Sequence, residues 1–116
     1  MNDLLLMGAG IGGVLISLIH GYLGHTKVLA SLTNGPASLR RVNSAVFQLS
    51  TLYWSTCGFL LIAAPFFLNP SVRKIVVGIV VFTYLTGALA NFWATRGRHP
   101  GWILLVIVSV MALFGA

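Results

Sequence analysis

The side chains able to do chemistry in this chain are few. Three histidines stand at His20, His25 and His99, with Arg96 and Arg98 just before the last of them. Neutral imidazole ligates metal ions and haem iron, and a guanidinium holds anionic groups, so all five are candidate ligand-binding residues. One reading is a redox protein that holds haem or quinone near His20 and His99, with haem propionates on Arg96, Arg98, Arg40 or Arg41. His25 can join His20 on one ion only if the helix breaks at Gly21 and Gly24, because five residues turn a side chain about 140° round a helix. The competing reading, in which no cofactor is expected, is of interfacial histidines bonded to backbone or lipid headgroups.

Two polar stripes are the other candidates. Gln48, Thr51, Ser55 and Gly58 follow steps of three, four and three, and Tyr84, Gly87 and Asn91 follow steps of three and four, which places each set on one helix face. Amides and hydroxyls facing lipid lack hydrogen-bond partners, so both stripes are expected to turn inward. Gln48 and Asn91 would then mark either interhelical contacts or a path for a polar solute. Cys57 falls in mid-span, where a thiol stays protonated and inert. Asp3 is the only acid, so no carboxylate pair is present for acid–base catalysis.

The elements that must position these residues follow from composition. Apolar and aromatic residues make up 58% of the 116 residues and charged residues only 7%. Soluble domains carry roughly 25% charge, so a water-facing globule is excluded, and so is disorder. A single cysteine excludes an internal disulfide framework and a cysteine-based zinc site. Apolar runs at 4–23, 45–68 and 75–94 are each long enough to cross a hydrocarbon layer of about 30 Å. The run at 101–116 is shorter and is read as a fourth span. The first run follows an acid and no Lys or Arg, unlike a secretory signal. Asn34-Gly35-Pro36 signals a turn, Lys27 to Leu32 a short interfacial helical piece, and Pro65 a bend. Asn69-Pro70 reads as a cap and restart. The expected fold is therefore all-α, a single-domain four-helix transmembrane bundle of antiparallel up-down topology.

Gly8, Gly10 and Gly13 match the spacing of a dinucleotide-binding turn, but no strand precedes them and no acid follows. Small residues in a spanning helix serve packing instead. Gly8 and Gly12 form one such face and Gly13, Ser17 and Gly21 another, against which neighbouring helices or a second chain approach closely.

The net charge of +6 orients the bundle. Lys27, Arg40, Arg41, Arg96 and Arg98 lie in the first and third loops, and only Arg73 and Lys74 in the second. The positive-inside rule places loops 24–44 and 95–100 in the cytoplasm and both termini outside an inner, cytoplasmic-type membrane. All three histidines, with Tyr22, Trp93 and Trp102, then share the basic side, which suits anionic lipid headgroups. Cations in short loops beside a membrane do not indicate nucleic acid.

Small multidrug transporters have this size, but the carboxylate their first helix needs is missing, and the asparagine and threonine-serine-phenylalanine motifs of small fluoride channels are not matched. The stretch Arg96-Gly97-Arg98-His99-Pro100-Gly101-Trp102, with the spacing of His20 and His25, resembles that of small bacterial four-helix membrane proteins. That resemblance implies the fold and no activity. The leading expectation is a non-enzymatic accessory, assembly or binding subunit, in a homo-oligomer or a larger membrane complex. A transporter or channel for an anionic or neutral solute is the second, and the haem or quinone protein the third.

Overall fold

In a computed structural model, which describes residues 1–116, the chain is all-α and holds no strand. Four helices run up and down in turn: α1 (Asp3–Ser31), α2 (Ala37–Phe67), α3 (Pro70–Thr95) and α4 (Gly101–Gly115). By length and apolarity α1, α2 and α3 can each cross a membrane. Helix α4 has 15 residues, about 22 Å, and is a shorter apolar helix.

Local chemistry sets the helix ends. The Asn2 side chain caps α1 by accepting from Leu5 N–H, and Asn69 caps α3 by accepting from Val72 N–H with Pro70 at the first helical position. Pro36 precedes α2, where its fixed φ stops the incoming turn. Pro65 lies inside the last turns of α2, which continues to Phe67.

The polar stretch 24–44, expected to be a loop with a short helical piece at Lys27 to Leu32, is mostly helix, and that piece is part of it up to Ser31. Helix α1 passes through a π-helical turn at Gly24–Val28 and a last α-turn at Leu29–Ser31, and only Leu32 to Pro36 lie outside helix before α2 begins. Polarity marked the end of the hydrocarbon layer here and not the end of the helix. No proline interrupts the chain between Leu23 and Gly35, so nothing breaks the ladder. The molecule accordingly measures 51 Å along its longest axis. Arg73 and Lys74, counted with the second loop for orientation, belong to the first turns of α3 that follow the Asn69-Pro70 restart.

The helices form a ring in which α1 touches α2 and α4, and α3 touches α4 and, less extensively, α2. The core runs down the middle through Leu6, Ala9, Leu61, Ala64, Val77, Val80, Tyr84, Leu105, Val108 and Ala112. Small residues of α1 determine how near its neighbours come. Gly8 and Gly12 lie under Met111 and Val108 of α4, Gly13 under the Tyr84 ring, and Gly21 under Thr51 of α2. Ser17 shares a hydrogen bond with Ser55 across the same interface. Gly10, absent from both expected faces, meets Gly58 of α2 backbone to backbone.

Candidate functional site

At the basic end of the bundle each helix contributes one polar side chain: His20 from α1, Ser50 from α2, Asn91 from α3, and His99 at the threshold of α4. The ring of His20 lies between Phe47 and Trp54, with centroid distances of 5.1 and 4.6 Å. Its Nε2 is 3.0 Å from Ser50 Oγ. That hydroxyl already donates to Phe47 O at 2.9 Å, so it accepts from His20 Nε2–H, and the His20 lone pair resides on Nδ1. The His99 Nδ1 accepts from Gly101 N–H at 3.1 Å. In the neutral ring the proton of His99 is therefore on Nε2.

Asn91 meets the start of α4 beside His99, its amide nitrogen facing Gly101 and its buried Oδ1 without a protein partner. His25 stays exposed on another face, because α1 is unbroken at Gly21 and Gly24. The break at Gly21 and Gly24 that would let His20 and His25 share one ion is not made. A haem iron at His20 Nε2 would have to displace Ser50 and enter a slot already filled by Phe47 and Trp54.

The expected α2 stripe is inward only in part. Gly58 is buried and Ser55 and Thr51 face α1, but Gln48 is exposed. Gln48 stands ten residues from Gly58, a rotation of about 1000°, some 80° short of three full turns. Phe47 and Ser50 occupy the inward positions at that level. The α3 stripe does turn inward: Tyr84 is buried and donates to Trp54 O at 3.0 Å, and Gly87 lies under the Trp54 indole.

Between the two ends the buried polar side chains Ser17 and Ser109 bond to Val14 O and Ser55 and to Leu105 O. Below Tyr84 the interior is closed by Leu6, Leu61, Val77, Val80 and Leu105. Beyond that plug lies an arrangement with no sequence signal. Arg73, 3% exposed, places Nη1 2.7 Å from Asp3 Oδ1 and donates from Nη2 to Gly115 O at 2.7 Å. Asn2 N–H reaches the same carbonyl at 3.2 Å. One guanidinium thus ties together the starts of α1 and α3 and the end of α4.

Two surface grooves accompany these clusters. Helices α2 and α3 splay apart around a groove of about 460 Å³ lined by Ser50, Tyr53, Trp54, Thr56, Cys57, Thr83, Thr86 and Gly87. The hydroxyls of Thr56, Thr83 and Thr86 bond back to their own helices. A second groove of about 630 Å³ runs along the outer face of α3 between Leu89 and Arg96. Arg96 caps α3 in the left-handed region, with φ 52° and ψ 39°, and Gly97 follows at φ 73°. For a residue with a Cβ that conformation costs about 1 kcal/mol.

No protein-family model, curated protein or solved structure matches this chain.

Proposed function

We propose that the protein is a non-enzymatic integral membrane subunit that acts by assembly, and that its partner is a transmembrane helix seated between α2 and α3. The observation that supports this reading is the groove of about 460 Å³ at that position. Of the 31 residues of α2, only Gly58, Leu61 and Ala64 are buried. The groove beside it is lined by the small side chains of Ser50, Thr56, Cys57, Thr83 and Thr86, with Tyr53 and with Trp54, whose indole covers Gly87. Small residues let helix backbones approach closely, which is the source of attraction between helices in lipid, where apolar burial supplies none.

The glycine faces of α1, expected to serve a partner, are occupied within the fold by α2, α4 and Tyr84. Association through them would require this bundle to open. With Leu6, Leu61, Val77, Val80 and Leu105 filling the interior below Tyr84, solute transport would need a second conformation.

A photoreactive residue at Thr86, activated in native membranes, reads the occupant directly. Crosslinks to a spanning segment, of a second copy or of another chain, are the expected result, and Thr86→Trp should abolish association by filling the groove. Crosslinks to lipid alone, with a monomeric mass in nanodiscs at every protein concentration, would overturn the reading.

A further inference from the structure

We infer that the outer groove of α3 is a site for one anionic phospholipid, its acyl chain lying along Leu89, Phe92 and Trp93 and its phosphate on Arg96, with Arg98 alongside. This groove is distinct from the one between α2 and α3.

Four observations converge on that ligand. The groove holds about 630 Å³ and is lined by Leu89, Phe92, Trp93, Ala94 and Arg96, so it is apolar along its length with one cation at its end. That pattern is the outline of an amphiphile with a negative head. Its depth is also right: from Arg73 to Arg96 α3 rises about 34 Å, close to the hydrocarbon thickness, which sets Arg96 at headgroup level. Trp93, 82% exposed, sits one turn below, where interfacial tryptophans gather.

Charge points the same way. The chain's one acid, Asp3, pairs with Arg73 at the far end of the bundle. No carboxylate is therefore near Arg96 or Arg98, and both side chains are exposed. A cationic headgroup would be repelled there, and a phosphate would be attracted without competition.

The backbone supplies the fourth observation. Arg96 occupies a left-handed cap position, φ 52°, where glycine is the unstrained choice. A residue that breaks a local rule is explained by what its side chain does, and here that side chain is exposed and lines the groove. The shape of the turn alone does not require arginine.

Arg96→Gly separates the two roles, since glycine suits the turn and removes the cation. The protein is reconstituted in nanodiscs of equal dioleoylphosphatidylglycerol and dioleoylphosphatidylcholine, then released into mild detergent, and retained lipid is counted by native mass spectrometry. We expect one phosphatidylglycerol per chain, favoured at least tenfold over phosphatidylcholine and not displaced by inorganic phosphate. R96G should lower retention about tenfold with an unchanged or higher unfolding midpoint, and Trp93→Ala should lower it without affecting folding. R40Q/R41Q, at the other basic cluster, should retain lipid like the parent. Equal retention of the two lipids, undiminished retention in both R96G and W93A, or displacement by inorganic phosphate would overturn the assignment, as would a crosslink from position 93 to a protein helix.

Discussion

Gly10 of α1 and Gly58 of α2 oppose each other so closely that a Cβ on Gly10 would stand 2.6 Å from Gly58 O, and one on Gly58 2.7 Å from Gly10 O. The obstacle in both directions is backbone, which cannot rotate away as a side-chain end could. Gly10→Ala and Gly58→Ala should therefore each push α1 and α2 apart and lower stability by about 1–3 kcal/mol, as overpacking does. Equilibrium unfolding in micelles measures the loss. Gly78 provides the control, because nothing lies within 4 Å of its Cβ position; Gly78→Ala should be neutral or stabilising by up to about 1 kcal/mol.

The guanidinium of Arg73 divides its contacts between an exposed acid and a buried carbonyl, and the two should differ in worth. Asp3 is 60% exposed, so water and salt screen it, and Asp3→Asn should cost about 1 kcal/mol or less. Arg73→Ala removes the bond to Gly115 O and the packed aliphatic stem as well, and should cost about 2 kcal/mol or more. A D3N, R73A double-mutant cycle by urea unfolding tests the ranking. If D3N proved the more damaging variant, the ion pair and not the carbonyl bond would hold this end together.

What the sequence revealed and what it hid follow from the range of the interactions. Local signals were readable: the cap at Asn69 with Pro70, the turn around Asn34-Gly35-Pro36, and runs long enough to cross a membrane. The stretch 24–44 misled because polarity reports the solvent around a segment and not its backbone, so a helix leaving the bilayer reads like a loop. Gln48 misled because a stripe built from steps of three and four drifts off its face within three turns. Arg73 was unreadable as a core residue, since its partner Asp3 lies far away in sequence, at the start of another helix, and nothing near Arg73 announces it. At the basic end, His20, His25 and His99 were visible as histidines sharing one side, and Asn91 as part of an inward stripe. Ser50, Phe47 and Trp54, which hold His20 in place, became evident only once α1 and α2 were seen side by side.

Tyr84 is the largest fully buried side chain, with its ring over Gly13 and its hydroxyl on Trp54 O at 3.0 Å. Tyr84→Phe should cost about 1 kcal/mol for the lost hydrogen bond, and Tyr84→Ala about 3–5 kcal/mol for the cavity. A methyl on Gly13 would meet the Tyr84 hydroxyl before any other atom. G13A should consequently be severe alone and less than additive with Y84F, because removing that oxygen relieves part of the overlap. Unfolding midpoints of the two single variants and the double variant decide this.

The same packing bears on how the protein lies in its membrane. Of the two cations assigned to the end opposite the histidines, Arg73 is turned inward onto Asp3 and only Lys74 is exposed, whereas Lys27, Arg40, Arg41, Arg96 and Arg98 are all exposed at the basic end. The asymmetry at the surface is thus steeper than a plain residue count suggests, and the positive-inside rule predicts a single orientation with the Leu32 to Pro36 turn in the cytoplasm. In a Cys57→Ser background, a cysteine at Asn69 should react with a membrane-impermeant maleimide in intact cells, and one at Asn34 only after permeabilisation. Because the bias rests on those five cations, replacing Arg40, Arg41, Arg96 and Arg98 by glutamine should leave both positions partly labelled. Full labelling of Asn34→Cys in intact cells would reverse the orientation and move the histidine cluster to the outer face.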